Sequence, residues 1–219
     1  MVLRGCLVSL ALFGLTGCEN ISNRVAGLNA SANATNEGIR TLAMLDGNVR
    51  VRGPEGYCVD QSASDSRNGF AVLAGCALLS ETAAVMPQLD GLITVQFGEE
   101  DSASVVGNED VFAAFLASDS GRGILSANGE GTALSDVTTV SDRSGVIVHF
   151  NDTAGTGFPG TDSEQWRGFV DVKGRLVTVS VLNFDRNDLS SSERERLLVV
   201  AMAQVLEVNA TAQPQSDAS

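Results

Sequence analysis

The sequence predicts an α+β domain: a mostly antiparallel sheet packed by a middle helix and a long C-terminal helix, with one disulfide. Short runs rich in β-branched and aromatic residues alternate with Gly- and Asp-containing turns, which is typical of β-hairpins. Two segments instead carry apolar residues at helical spacing. The domain is predicted to span residues 39–208, an ordinary size for one domain.

The strand signals run along most of this domain. They predict strands at residues 40–45, 49–52, 57–60, 70–76, 92–97, 134–141, 145–150, 166–172 and 175–184. Tight turns at residues 46–47, 142–144 and 173–174 favour hairpins between neighbouring runs, and residues 54–56 turn the chain into the strand that follows. A longer polar stretch, residues 62–69, is predicted to be a loop.

The middle helix is predicted at residues 108–118. Its apolar side chains fall on one face: Val111, Phe112, Phe115 and Leu116. Asn108 is a suitable N-cap, and the acidic Glu109 and Asp110 favour the positive end of the helix dipole. Gly121 lies just beyond the expected end, where glycine commonly terminates helices.

The C-terminal helix has the clearest start signal. Ser190 and Glu193 have the spacing of a capping box, in which each side chain reaches the backbone of the other. After it, apolar residues recur at helical spacing at Leu197, Val200, Ala201, Val205 and Val208. Further apolar neighbours widen this face, which predicts burial of the helix against the sheet.

The start of the chain has the pattern of an export signal. Arg4 precedes a short apolar run at residues 7–15, and small residues follow it. The tetrad Leu15-Thr16-Gly17-Cys18 resembles the lipobox of bacterial lipoproteins. An uncleaved anchor or an ordinary signal peptide is the alternative, but a membrane span needs roughly 20 residues. In an ordinary signal peptide, a Cys directly after Leu15-Thr16-Gly17 would be a coincidence, which disfavours that alternative.

The lipobox resemblance implies that residues 1–17 are removed and that Cys18 is acylated. Cys18 would then anchor the chain to the lipid bilayer without spanning it. Residues 18–38 are small and polar, so they are expected to form a flexible tether. Residues 209–219 are expected to form a disordered tail. By the lipoprotein sorting rule, Glu19 favours the outer membrane, facing the periplasm.

The remaining cysteines and the charge limit the function. Cys58 and Cys76 lie 18 positions apart in an oxidising compartment, so a disulfide is expected. A redox or metal pair is the alternative, but the chain has no CxxC motif and a single histidine. Without residues 1–17 the chain has 13 basic and 27 acidic side chains, a difference of −14. This charge disfavours nucleic acid.

The order of elements resembles the PsbP/DcrB-like fold. The features that carry the resemblance are an early hairpin, the strand Gly56-Tyr57-Cys58-Val59-Asp60, a middle helix, and a long hairpin followed by a C-terminal helix. The resemblance covers about residues 40–208. It implies a non-enzymatic accessory protein associated with a membrane or the envelope.

Two short segments resemble known sites of chemistry. Residues 155–160 match GxGxxG, but a dinucleotide site needs a helix to begin there, and Pro159 removes a backbone amide. Residues 185–188 suggest a calcium loop, although Leu189 and Ser190 break the EF-hand spacing. Asp60 and Asp65 have no spacing that favours a reaction. No cofactor and no metal ligand set is predicted.

His149 is the single histidine and the remaining candidate for catalysis. Strand alternation places it on the face opposite Val146, Val148 and Phe150. Asp152, Ser141 and Ser144 lie nearby, but no GxSxG motif accompanies them. The favoured expectation is a non-catalytic envelope lipoprotein that binds an unknown envelope protein or component. The alternative is a periplasmic hydrolase or small-ligand-binding module that uses His149 and acidic residues. The sole tryptophan, Trp166, is either a core ring or an exposed anchor.

Overall fold

Nine strands and four α-helices make up the part of the chain that the computed structural model describes, residues 38–80, 86–187 and 189–210. The strands are β1 (Thr41–Met44), β2 (Val49–Arg52), β3 (Tyr57–Asp65), β4 (Phe70–Gly75), β5 (Gly91–Phe97), β6 (Leu134–Asp142), β7 (Gly145–Asp152), β8 (Thr161–Val172) and β9 (Arg175–Phe184). The helices are α1 (Cys76–Leu79), α2 (Glu109–Ala117), α3 (Asp119–Leu125) and α4 (Ser191–Asn209).

The strands form two sheets. β1 and β2 form a separate hairpin, and the other seven lie in the order β3-β4-β5-β9-β8-β7-β6. Every neighbouring pair is antiparallel. β5 pairs with β9 along its whole length, which brings the middle of the chain to the C-terminal hairpin. The predicted fold class is therefore confirmed.

The large sheet is covered on both faces. On one face α4 packs Leu198 and Met202 against strand residues such as Val179, in a core that also includes the β1–β2 hairpin. On the other face α2 and α3 pack against Val148 and its neighbours on β7. Because side chains alternate along a strand, each strand residue is committed to one of these two layers.

The Cys58–Cys76 disulfide is present, so the predicted pairing is confirmed. It joins the start of β3 to the residue that follows β4. Cys76 was assigned to a strand from the sequence, but it is the first residue of α1. Gly75, paired with Tyr57, is the last residue of the strand, and the Cys76 amide donates to the carbonyl of Gly56 at 2.7 Å.

The predicted loop at residues 62–69 is wrong in its first half, because β3 continues to Asp65. The register shifts between Asp60 and Asp65, which marks an irregularity of the bulge type. There the Ser64 hydroxyl donates to the Asp60 carbonyl at 2.6 Å and accepts from the Val72 amide at 2.9 Å. A side chain thus replaces a ladder bond, which polarity alone does not reveal.

The middle helix is confirmed, but its predicted buried face is only half right. In α2, Leu116 is buried, whereas Val111 is 71% and Phe115 is 40% exposed. Phe112 is partly buried and packs edge-on against Phe169 at 5.3 Å. The Asn108 side chain makes no capping bond. The helix is apolar all round, so its sequence does not define one inward face.

The sequence predicted that Gly121 terminates the middle helix, but this residue lies in the first turn of α3. The Ser118 hydroxyl caps this second helix by accepting from the Gly121 amide at 3.3 Å. A Cβ atom at Gly121 would lie 2.1 Å from the carbonyl oxygen of Phe115. Glycine is therefore required where α3 packs against the end of α2.

The C-terminal helix begins at the predicted capping box. The Glu193 carboxylate accepts from the amide and the hydroxyl of Ser190, at 2.9 and 2.7 Å. The helix runs one residue further than predicted, to Asn209, which was assigned to the tail. Asn209 pairs with β2, because its side-chain amide accepts from and donates to the backbone of Arg50, at 2.9 and 2.7 Å.

The predicted signal peptide, Cys18, Glu19 and the tail from residue 211 lie outside the described residues. Within the described ranges, no helix is both long enough and apolar enough to cross a membrane.

Candidate functional site

His149 lies on β7, on the face of the sheet that carries α4. Its ring stacks at 4.7 Å on that of Trp166, its partner in β8. Its Nε2 lies 3.0 Å from Oε1 of Glu164, also on β8. The His149 side chain is 19% exposed. Trp166 is therefore a half-buried ring that packs against the core and the single histidine.

The Glu164 carboxylate is the centre of this polar cluster. Its Oε1, besides contacting His149, accepts a hydrogen bond from the Ser191 hydroxyl at 2.7 Å. Its Oε2 pairs with the guanidinium of Arg194 at 2.9 Å. Burial by itself would raise the pKa of Glu164, but the bonds from Ser191 and His149 and the charge of Arg194 lower it overall. Glu164 is therefore held as a carboxylate.

Arg194, in the first turn of α4, completes the cluster. Its side chain is only 5% exposed and pairs with Asp162 at 2.9 Å as well as with Glu164. Its Nε donates to the Leu189 carbonyl at 2.8 Å. Asn183 donates to the same Asp162 carboxylate at 3.0 Å. The cluster thus joins the start of α4 to β8 and β9.

The order of these groups is not that of a hydrolytic triad. In a triad the histidine lies between the nucleophile and the carboxylate, so that it removes the proton of the nucleophile. Here Ser191 and His149 contact one oxygen of Glu164, so the carboxylate lies between them. Ser141 is not part of the cluster, since it donates to Asp110 at 2.7 Å. The arrangement suits a structural tie.

Residues 185–188, which have some features of a calcium loop, follow β9, and Asp188 lies outside the described residues. The Arg186 guanidinium lies 3.9 Å from the centre of the Phe184 ring and pairs with Asp90 at 3.3 Å. The Asn187 side chain donates to the Asp90 carbonyl at 2.9 Å. These contacts close the turn. Within the described ranges, no three His, Cys, Asp or Glu side chains are placed to hold a metal ion.

The GxGxxG segment, residues 155–160, connects β7 to β8. The element that follows it is a strand, so the helix N-terminus that would hold a pyrophosphate does not follow the glycines. Thr156 instead closes the loop internally, with its hydroxyl accepting from the Phe158 amide at 3.1 Å. The segment is therefore a glycine-rich connection between two strands.

Two adjoining grooves lie along α4, the smaller against residues 54–57 and 86–89 and the larger against the β1–β2 hairpin. We call them together the hairpin groove. Their volumes are ≈ 410 and ≈ 640 Å³. The residues that both share are Pro54, Glu55 and Val200. Apolar side chains such as Met86 and Leu197 line the smaller part, whereas Arg40 and Arg52 line the larger. His149 lines neither part.

Arg167 forms a second polar group that the sequence did not single out. It lies on β8 but points to the face that carries α2 and α3. Its guanidinium donates to uncharged groups only: Ser180 Oγ at 3.1 Å, the Leu125 carbonyl at 3.2 Å and Gln165 Oε1 at 3.0 Å. Burial lowers the pKa of Arg167 to about 10, and the charge of Asp152 opposes this change.

Asp152, which the sequence placed near His149, belongs to this second face. Its carboxylate is fully buried and accepts from the amides of Ala127 and Ala154, at 2.8 and 2.9 Å. The structure therefore separates Asp152 from His149. Alternation along β7 already implied this, because the two residues are an odd number of positions apart.

No known protein-family model matches this chain, and no curated protein matches it either. Its function is therefore inferred from the chain's own residues and contacts.

Proposed function

We propose that this protein is a non-catalytic cell-envelope lipoprotein that serves as an accessory or binding module for an envelope protein. The lipobox at residues 15–18 supports the anchor, and Glu19 supports the outer membrane, facing the periplasm. The resemblance to the PsbP/DcrB-like fold supports an accessory role. The proposed lipid anchor confines the domain to partners within reach of the membrane surface.

The observation that carries the non-catalytic part is the bonding of Glu164. One oxygen of this carboxylate contacts both the Ser191 hydroxyl and the His149 ring. The other oxygen forms an ion pair with the buried Arg194. His149 consequently has no nucleophile to activate within the cluster. The hydrolase alternative requires such a contact, so the geometry favours the accessory role.

The hairpin groove is the surface that best suits a protein partner. It combines exposed apolar side chains, Met86 at 44% and Val200 at 41%, with the arginines of its rim. Arg40, Arg52 and Arg196 outnumber the two acidic lining residues, in a chain whose net charge is −13. Charge complementarity therefore favours a partner segment that carries apolar and acidic side chains.

In-cell crosslinking tests this function. A photoreactive residue at position 200 is expected to capture an envelope protein, whereas one at position 140, in β6, is the matched control. Val140 is also exposed, at 62%, but lies at the far edge of the sheet from the groove. Equal capture from both positions, or capture from neither, would contradict a specific partner at the groove.

Two substitutions test the rest of the proposal. Cys18→Ala is expected to release the protein from membranes and to abolish fatty-acid labelling; persistent labelling would refute the anchor. The His149→Ala protein is expected to restore the wild-type phenotype to a strain that lacks the gene, as well as the unchanged chain does. If a folded, membrane-bound His149→Ala protein failed to do so, the hydrolase alternative would replace the accessory role.

A further inference from the structure

We propose that Arg167 is the anion-binding group of a small-ligand site on the α2–α3 face of the sheet, and that the ligand is a small organic anion with a carboxylate or phosphate group. The site lies on the opposite face from His149. It does not depend on lipidation or on the hairpin groove.

The strand register builds a row of polar side chains around Arg167. Arg167 pairs with Ser180 on β9, and Ser180 pairs with Thr94 on β5. Directly paired residues of antiparallel strands point to the same face, so these three side chains share it. Thr178, two positions from Ser180, joins them on that face. Thr94 and Thr178 are partly exposed, so this polar row reaches the protein surface.

Arg167 is partly buried, and its guanidinium lies 5.3 Å from the centre of the Phe150 ring, but no carboxylate pairs with it as carboxylates do with the buried arginines. Arg175 pairs with Glu100 at 2.7 Å, and Arg194 pairs with two carboxylates. Among the described residues, no ion pair includes Arg167. Buried charges in proteins are normally paired, because an unpaired one loses its hydration without compensation.

The guanidinium also retains hydrogen-bonding capacity. An arginine has five N–H donors, and Arg167 directs three bonds to protein groups. Asp152, the nearest source of opposite charge, has each carboxylate oxygen bonded to a backbone amide. An oxyanion beside Arg167 would therefore gain both charge and donors that the protein leaves available.

Because the chain is acidic, binding of an anion would indicate a specific local site. With 14 basic and 27 acidic side chains, the protein as a whole repels anions. Saturable binding of an anion would consequently report a local site rather than general attraction. Valine side chains flank the row, Val148 on β7 and Val72 on β4, and both are buried. These apolar borders suit the carbon skeleton of an organic anion.

The test is a titration of the mature lipidated protein in detergent with two separate probes, inorganic phosphate and octanoate. Binding is measured by calorimetry and by the NMR signal of the Arg167 Nε–H group. Saturable binding of either probe with a shift of that signal is expected. Phosphate alone would assign a phosphate ligand and octanoate alone an amphiphilic carboxylate; binding of neither would overturn the proposal.

Matched variants decide whether Arg167 carries the binding. Arg167→Gln is expected to weaken it at least about tenfold, as loss of a charge-assisted bond implies. Arg143→Gln, which removes the same charge from an exposed turn, is expected to leave it unchanged. Thr94→Val retains the arginine and is expected to weaken binding severalfold in a folded protein. Equal affinities in folded Arg167→Gln, Arg143→Gln and the unchanged chain would overturn the site, as would unchanged binding by Thr94→Val.

Discussion

Removing the buried arginine of the His149 cluster is expected to destabilise the domain strongly. The perturbation is Arg194→Met, which keeps an unbranched, largely apolar stem and deletes the charged guanidinium. Breaking a buried ion pair by removing one partner costs about 3–5 kcal/mol. The partners left behind, Asp162 and Glu164, are 30% and 25% exposed, so water relieves part of the penalty. We therefore expect a loss of about 3 kcal/mol at the lower end of that range.

Urea unfolding measures this loss, with the emission of Trp166 as the reporter. Trp166 is the sole tryptophan and lies beside the cluster, stacked on His149. For a domain of this size, about 3 kcal/mol lowers the melting temperature by roughly 6–12 °C. His149→Gln removes only a single contact and is expected to cost about 1 kcal/mol.

Arg196→Met is the matched control, because it makes the same change two residues further along α4 at an exposed position. It is expected to change the free energy of unfolding by less than about 0.5 kcal/mol. The reasoning is refuted if Arg194→Met costs no more than this control. A Glu164→Gln double-mutant cycle then measures how much of the loss belongs to the Arg194–Glu164 contact.

Three further predictions concern the cross-link, the pH dependence and the helix junction. Replacing Cys58 and Cys76 together by Ala should lower the free energy of unfolding by about 3 kcal/mol, as expected for a closed loop of this length. Reducing the disulfide of the unchanged chain should lower it by a similar amount in urea unfolding. No change on reduction would contradict this prediction. Since folding lowers the pKa of Glu164, its contribution to the free energy of unfolding is present above the ordinary glutamate pKa of about 4.3 and is lost as the pH falls through the lowered value. Glu164→Gln should therefore reduce the fall in the free energy of unfolding at acidic pH. An unchanged fall would count against the reasoning. Gly121→Ala should cost roughly 1–3 kcal/mol through overpacking, more than Gly123→Ala, whose Cβ would approach only to 3.1 Å; equal thermal shifts would show that the junction relaxes.

Local pattern predicted most of the elements. The C-terminal helix starts at Ser190 because its capping box is a contact between residues three positions apart. The β8–β9 hairpin turns at Lys173 and Gly174, where a tight turn follows from the two residues themselves. The predictions failed where packing between elements overrode the local signal, as at Gly121, where the end of α2 brings the Phe115 carbonyl oxygen against the first turn of α3.

The candidate site was predicted only in part. Strand alternation placed His149 on the correct face, because alternation is a property of the chain itself. It did not show that Glu164 and Arg194 meet there, 15 and 45 positions away in sequence. No local signal marked Arg167, because a single arginine in a strand does not reveal whether a carboxylate will face it.

The sequence by itself determined the class of the fold, the turns of the β1–β2, β6–β7 and β8–β9 hairpins and the pairing of Cys58 with Cys76. These depend on periodicity, turn chemistry and cysteine count, which are local or compositional. Only the tertiary structure decided that β5 lies between β4 and β9, and that Ser191 and His149 share one oxygen of Glu164. Such contacts depend on sheet order and helix placement, which arise when apolar surface from distant segments is buried together.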